Sequence, residues 1–152
     1  MLEFSGIEAA LSKLRETAKR AATAKKRALL AEAHAIRRKS LKYVPIDFGI
    51  LKGSAIVEPI EEHSDGSVST TIGYGGDAGA YALAVHEHPS GHSPPSWKGV
   101  EVKFSGAPER GPKYLERAMN EAMDGMTERI GERVGKYLAE GTSDESGGGS
   151  NE

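Results

Sequence analysis

Apolar residues recur at helical spacing along the first 43 residues of the chain. Between Gly6 and Tyr43 there is no proline and no internal glycine, and Ala, Leu, Lys, Arg and Glu dominate. Ser5 and Glu8 have the spacing of a capping box, which satisfies free N–H groups at a helix start. The apolar stripe comprises Ile7, Leu11, Leu14, Ala18, Ala21 or Ala22, Leu29, Ala33 and Ile36. The pattern predicts one long helix with one buried face, and that face is weakest between residues 22 and 28.

The predicted helix is longer than a domain of this size is wide, because 37 residues span about 55 Å at about 1.5 Å per residue. Two arrangements are compatible with a helix of this length. Either the helix breaks near Thr23, or one of its ends projects onto another subunit. At the other end, Pro45 disfavours the helical conformation at Val44, so we expect the helix to stop there.

Alternating apolar and polar positions follow the helix. The segments Leu51–Ile60 and Val68–Tyr74 have the period of two that is typical of strands, and Leu51 is expected to begin the sheet. Asp65 and Gly66 between them predict the turn of a hairpin. The apolar run Tyr81–His86 is interpreted as a third strand, with a helical turn as the alternative.

The C-terminal third begins with a proline-rich stretch between residues 89 and 111, in which Val100–Phe104 is a possible short strand. Pro112 is well placed in the first turn of a last helix. Three glycines interrupt the apolar pattern of this helix, each at a cost of about 1 kcal/mol relative to alanine. The apolar positions are Leu115, Met119, Ala122, Met123, Met126, Ile130, Val134, Tyr137 and Leu138, and the glycines are residues 125, 131 and 135.

These elements predict an α+β fold with a long N-terminal helix, a small mostly antiparallel sheet and a C-terminal amphipathic helix packed on the sheet. The length of 152 residues favours a single domain. We place this domain at residues 1–140, with a helical arm at 1–44, the sheet and long loop at 45–111 and the last helix at 112–140. Residues 141–152 contain no side chain suited to a core and are expected to form a flexible tail.

Composition narrows the classes of function. The chain has no cysteine, which excludes disulfides and a thiolate metal site, and 38% of its residues are hydrophobic. No stretch approaches the roughly 20 apolar residues of a membrane span, and the N-terminus lacks the pattern of a signal peptide. We therefore expect neither secretion nor contact with a membrane.

Charge is strongly polarised along the chain, although the net charge is only −2. Residues 1–44 carry eleven Lys and Arg against four Glu, a net of +7, and the remainder carries −9. This asymmetry is typical of a basic arm that contacts nucleic acid, of head-to-tail subunit contacts, or simply of a long helix with a solvated face. The candidate contact residues are Lys25, Lys26, Arg27, Arg37 and Arg38.

Candidate catalytic chemistry is confined to one histidine cluster. His86, His88 and His92, with Glu87 between the first two, are residue types that bind zinc. Their spacing does not match the His-Glu-x-x-His motif, in which two histidines share one helical face. No Gly-x-Ser-x-Gly motif is present to hold a serine nucleophile. The expectation is therefore that the protein is not an enzyme and binds neither metal nor cofactor, with a metal-dependent hydrolase at these four residues as the alternative.

Three segments, taken in order, resemble the small minor capsid or neck proteins of tailed bacteriophages, the head–tail connector family. They are Val44-Pro-Ile-Asp-Phe-Gly-Ile-Leu-Lys-Gly-Ser54 after the long helix, Tyr81-Ala-Leu-Ala-Val-His-Glu87, and Pro112-Lys-Tyr-Leu-Glu-Arg-Ala118 at the start of the last helix. The chain departs from the family pattern at Phe48, where threonine is usual, and at Val44, where alanine is common. The motif residues are Pro45, Asp47, Gly49, Leu51, Ser54, Tyr81, Ala82, His86, Glu87, Tyr114 and Leu115.

The resemblance implies a structural virion protein, made in the host bacterial cytoplasm, that forms or decorates a ring joining the DNA-filled head to the tail. The implied partners are copies of the chain itself, other connector, head-closure, portal or tail proteins, and the packaged double-stranded DNA. A tail terminator or tail-completion protein is the nearest alternative. A non-specific nucleic-acid-binding module that uses the basic helix is the alternative from another class.

Overall fold

The computed structural model describes residues 5–45, 49–87 and 110–143 of the chain. The described part is mainly helical, with short strands between a long first helix and two C-terminal helices. The α+β class predicted from the sequence is therefore confirmed. The predicted strand at Val100–Phe104, most of the proline-rich stretch and residues 144–152 of the predicted tail lie outside the described residues.

The first helix, α1, runs without interruption from Ser5 to Tyr43. The predicted alternative of a break near Thr23 does not occur. The hydroxyl of Thr23 donates a 3.1 Å hydrogen bond to the carbonyl of Lys19, one turn earlier, so the residue is accommodated within the helix. At about 1.5 Å per residue, the 39 residues span about 58 Å, and residues 6–19 are all exposed.

The C-terminus of α1 is closed by residues from a distant part of the chain. The N–H of Gly111 donates a 3.0 Å hydrogen bond to the carbonyl of Tyr43, and the Arg110 guanidinium donates one of 2.7 Å to the carbonyl of Val44. The last carbonyls of an α-helix receive no hydrogen bond from within the helix. The two bonds supply donors at the point where the chain leaves the helical path before Pro45. The predicted end of α1 is thus confirmed.

A short helix, α2, comprises Ile50–Gly53 and replaces the predicted start of the first strand. Gly49 precedes it with a φ of 77°, a left-handed conformation that glycine adopts without strain. The prediction that Leu51 begins the sheet is wrong. Leu51 lies in α2, and its side chain is buried. The Ser54 hydroxyl donates a 2.8 Å hydrogen bond to the carbonyl of Leu51 and helps to end the helix.

The strands form two separate antiparallel pairs. Strand β1 (Ala55–Val57) pairs with β4 (Ile72–Tyr74), and β2 (Glu61–Glu62) pairs with β3 (Val68–Ser69). In the turn between β2 and β3, the Asp65 carboxylate accepts a 2.8 Å hydrogen bond from the N–H of Ser67, and Gly66 has a φ of 80°. The predicted hairpin and its turn are confirmed, although the strands are shorter than predicted.

The apolar run Tyr81–His86 is helical, so its interpretation as a third strand is wrong. A 3-10 helix at Gly76–Ala78 leads into α3, which comprises Gly79–Glu87. Ala82 and Val85, three residues apart, are buried, whereas Leu83 is 66% exposed. A strand would have placed residues 83 and 85 on the same face, so the burial follows the helical period.

The last part of the chain forms two helices where one was predicted. Helix α4 comprises Tyr114–Met123 and α5 comprises Met126–Ser143. They separate at Gly125, whose φ of 65° is incompatible with a continuous right-handed helix. Lys113 has a φ of 57°, so α4 begins after it rather than at Pro112. Helix α5 continues to Ser143, which adds residues 141–143 of the predicted tail to the helix.

Helices α4 and α5 pack chiefly along α1 rather than on the sheet. Ile36 of α1 is buried with Ala118 and Ala122 of α4, and Ile72 of β4 packs against the edge of this cluster. The small alanines on both helices let the two backbones approach closely, whereas the strand pairs offer only two or three residues to pack against. The predicted packing of the last helix on the sheet is corrected accordingly.

Candidate functional site

The three segments that carry the family resemblance meet in one buried cluster around Tyr114. The Tyr114 side chain is 1% exposed, and its hydroxyl donates a 2.9 Å hydrogen bond to the carbonyl of Ala82. Its ring packs edge-on against the ring of Tyr74, with a centroid distance of 4.8 Å. The cluster consists of Val44, Leu51, Ala78, Ala82, Val85 and Tyr114, with Leu115 partly buried against it. The motif residues Leu51, Ala82, Tyr114 and Leu115 therefore help to build the fold.

Among the described residues, the remaining motif positions are not part of this cluster. Pro45 is buried at the end of α1, and Gly49 supplies the left-handed turn before α2. Tyr81 lies in α3, and Asp47 lies outside the described residues.

His86 and Glu87 stand at the C-terminus of α3, next to the start of α4. The His86 ring packs edge-on against Tyr114 at a centroid distance of 4.9 Å, and its Nδ1 lies 2.9 Å from the Glu87 carboxylate. Because an ionised carboxylate only accepts hydrogen bonds, Nδ1 carries the hydrogen. Lys113 donates a 2.8 Å hydrogen bond to Glu87, and this bond is the main reason that the pKa of Glu87 is lowered.

The contacts of His86 join the end of α3 to the start of α4. The Lys113 N–H donates a 2.9 Å hydrogen bond to the carbonyl of His86, so the backbone also joins α3 to the residue before α4. Within residues 5–45, 49–87 and 110–143, no group of three or more His, Cys, Asp or Glu side chains is placed to hold a metal ion. The candidates His88 and His92 lie outside these ranges.

Four of the five basic candidate residues on α1 contact other parts of the same chain. The Lys25 and Lys26 ammonium groups bind the β2–β3 hairpin, at the carbonyl of Gly66 and the carboxylate of Glu62 respectively. The other two are arginines: Arg27 lies over the ring of Tyr137, 4.1 Å from its centroid, and Arg37 donates a 2.8 Å hydrogen bond to the carbonyl of Ala55. Part of the charge polarity is thus neutralised within one chain.

A buried carboxylate that the sequence analysis missed links α1 to α5. Glu32 is only 2% exposed, although it is charged. Arg129 donates hydrogen bonds of 3.0 and 2.5 Å to Oε1 of Glu32, and Arg133 donates one of 2.5 Å to Oε2. Both oxygens are therefore paired, which is the condition for burying an ionised carboxylate. The signal in the sequence was the position of Glu32, one turn after Ala28 and one turn before Ile36 on the buried face.

The electrostatics of Glu32 are set by two opposing effects. Burial alone raises the pKa of this carboxyl, because it disfavours the charged form. The hydrogen bonds and positive charges of Arg129 and Arg133 together outweigh burial, and they hold the pKa of Glu32 below its ordinary value. The carboxylate is thus ionised at neutral pH and fixes the position of α5 on α1.

An open groove of about 470 Å³ runs beside this ion cluster, between α1 and the two C-terminal helices. Its carboxylates are already paired: Glu32 with the two arginines, and Glu121 with Lys39 at 2.9 Å and with the Tyr43 hydroxyl at 2.6 Å. Arg38 is exposed and has no hydrogen bond or ion pair with the described residues. The basic residues that line the groove are Arg38, Lys39, Lys42, Arg129 and Arg133. The groove therefore presents an excess of positive charge.

No protein-family model, no curated protein and no solved structure matches the chain. Among the described helices we find none that combines the length and the apolar character of a membrane span.

Proposed function

We propose that the protein is a structural component of the head–tail connector, or neck, of a tailed bacteriophage, where it assembles as or onto a ring that joins the filled head to the tail. The observation that carries the proposal is the convergence of the three motif segments on Tyr114. Leu51, Ala82 and Tyr114 are far apart in the sequence and share one buried cluster. Proteins that share an architecture are expected to share the residues that build its core. The position of these motif residues in the core therefore supports the proposal.

The surface of the chain also suits repeated subunit contacts. A ring is built from heterologous contacts, in which one patch of each subunit binds a different patch of the next. The exposed end of α1 carries large apolar side chains, and Ile50 and Leu83 on the body of the domain are 61% and 66% exposed. Buried apolar area is the main driving force of such assemblies.

The proposal is tested by deleting the gene from the phage that encodes it and examining the lysate by electron microscopy. We expect filled heads and separate tails of normal length, because the joint between them is missing. Overlong tails would instead assign the protein as a tail terminator. Normal infectious particles would refute both structural roles. The control is the deletion strain supplied with the wild-type gene on a plasmid, which must restore joined particles.

A second candidate function, binding of nucleic acid, is favoured by the positively charged groove. Arg38 and Lys42 are exposed on the same helix one turn apart, and the carboxylates of the groove are already neutralised. Phosphate groups bind such clusters without regard to sequence, and the binding weakens as salt rises.

The second candidate is tested by titrating a duplex DNA fragment with the protein at two salt concentrations. Binding that weakens in the Arg38→Glu/Lys42→Glu variant but not in the control Lys52→Glu would support it. Equal binding by both variants, or no binding at low salt, would rule it out for the isolated subunit.

A further inference from the structure

The N-terminal part of α1 carries an apolar stripe that the rest of the described chain leaves uncovered. We refer to residues 6–19 as the arm. Every residue of the arm is exposed, and its large apolar side chains Ile7, Leu11 and Leu14 are 51%, 45% and 66% exposed. Three large apolar side chains in a row on one solvated helix face are unusual, because scattered single ones are the rule.

The stripe continues the face through which α1 packs against α5. Ile7, Leu14, Ala21 and Ala28 are each seven residues apart and therefore lie along one side of the helix. Ala28 is completely buried in the stretch where α5 covers α1. The cover ends near Arg20, which donates a 3.3 Å hydrogen bond to the carbonyl of Leu138. The same apolar face thus goes from buried at Ala28 to exposed at Leu14 and Ile7 along one helix.

The described residues after α3 leave the arm exposed. The nine residues 144–152 contain no apolar side chain. The described residues on either side of residues 88–109 lie near the C-terminus of α1, where Lys113 binds Glu87 and Arg110 binds the carbonyl of Val44. Leu14 lies about 43 Å along α1 from Tyr43, and Leu11 lies farther away. Within the described residues nothing covers the stripe, which leaves it available to a second molecule.

The charges beside the stripe point to a second copy of the same arm. Ile7, Leu11, Leu14, Ala18 and Ala21 follow the alternating four-and-three spacing of a coiled-coil seam. Glu8 and Arg15 flank this seam on the same side. When two arms run antiparallel about a two-fold axis next to Leu11, Glu8 of each copy faces Arg15 of the other. A two-fold contact repeats every such pair, so both ion pairs form at once.

We propose that two copies of the protein pair through their arms as an antiparallel two-helix contact, with the two Leu11 side chains at the axis and reciprocal Glu8–Arg15 ion pairs beside them. The inference concerns the free protein and does not depend on the proposed function in a virion. The seam is only about three to four turns long, and short helical pairs are weak in water. The dimer should therefore form at high protein concentration and dissociate on dilution.

The proposal is tested by sedimentation equilibrium of the full chain between about 10 µM and about 1 mM. We expect a reversible monomer–dimer equilibrium for the wild type. The single variants Glu8→Arg and Arg15→Glu each place like charges opposite one another, and each should weaken self-association at least tenfold. An equimolar mixture of the two variants should form a heterodimer, because both ion pairs are then restored. The double variant Glu8→Arg/Arg15→Glu should dimerise like the wild type.

The matched control is Glu16→Arg, which makes the same change of charge on the opposite side of the arm and should leave the dimer intact. All substitutions fall on exposed positions, so we expect each variant to fold. Circular dichroism checks this expectation. A wild type that stays monomeric over the whole range overturns the proposal. So does an association that Leu11→Asp leaves unchanged, and so does a mixture of the two single variants that fails to associate.

Discussion

The hydroxyl of Tyr114 donates a hydrogen bond to the carbonyl of Ala82, and this 2.9 Å contact joins two helices across 32 positions of sequence. The same ring packs edge-on against Tyr74 and His86. One side chain therefore brings together α3, α4 and β4. The helix that begins at Tyr114 then packs along α1, so this contact helps to position the start of α4.

Removing the Tyr114 hydroxyl should destabilise the protein measurably. The Tyr114→Phe variant keeps the ring but loses one buried hydrogen bond, which corresponds to a loss of about 1 kcal/mol in the free energy of unfolding. Tyr114→Ala also leaves a cavity and should cost about 3 to 5 kcal/mol. Urea denaturation followed by circular dichroism measures both values. The control is Tyr137→Phe on α5, which should change the midpoint little; an equal effect at both tyrosines would argue against a special role for the Ala82 contact.

Neutralising the buried carboxylate of α1 should loosen the contact between α1 and α5. In Glu32→Gln the amide has one oxygen for two arginines and places an N–H₂ group against a cation. We expect a loss of about 2 kcal/mol in unfolding free energy. The matched control on the same helix is Glu16→Gln, an exposed position where no change is expected. If both variants unfold at the wild-type urea concentration, the ion cluster does not hold the helices together.

Acid should remove the same contribution to stability. The pKa of Glu32 is lowered in the folded protein from an ordinary value of 4.5, so the folded state favours the charged carboxylate. The resulting stabilisation is complete above the ordinary pKa and is lost as the pH falls through the lowered value. The difference in stability between the wild type and Glu32→Gln should therefore shrink below about pH 4.5.

This pH dependence is measured by urea denaturation of both proteins from about pH 7 to about pH 3. Comparing the two removes the contribution of other carboxylates, such as Glu121, that titrate in both proteins. A difference that stays constant over this range would contradict the assigned pairing of Glu32 with the arginines.

Two glycines of the C-terminal region should respond in opposite directions to alanine. Gly125 has a φ of 65°, and a Cβ there would lie 3.4 Å from the Arg129 guanidinium, so Gly125→Ala should cost about 1 kcal/mol. Gly135 lies inside α5 with open space around the position of a Cβ. Gly135→Ala should stabilise the protein by up to about 1 kcal/mol, because alanine favours a helix. Thermal unfolding of both variants beside the wild type tests the sign of each effect.

Much of the local structure could be predicted from sequence. The period of the apolar residues identified α1, and Pro45 located its end to within two residues. Asp65 and Gly66 identified the turn of the hairpin, because both residue types favour turn conformations whatever lies around them. Among the motif residues, Gly49 has a φ of 77°, a conformation that glycine adopts without strain.

The errors occurred where tertiary contacts override a weak local preference. The run from Tyr81 to His86 is too short and too uniformly apolar for its period to distinguish a strand from a helix. The sequence did not reveal the break at Gly125, because the apolar pattern continues across it, from Met119 and Met123 to Met126 and Ile130. Glu32 was not singled out, because its arginine partners lie about one hundred residues later in the chain.

The sequence by itself determined the elements whose causes are local: a long proline-free helix, a turn, a C-terminal region with an apolar stripe, and a chain polarised in charge. The tertiary structure alone decided how these elements meet. It placed Tyr114 between α3 and β4, paired Glu32 with Arg129 and Arg133, directed Lys25 and Lys26 to the hairpin, and left the arm uncovered by the described residues. The physical reason is that periodicity, caps and turns depend on neighbours within a few residues, whereas burial and ion pairing depend on groups that only folding brings together.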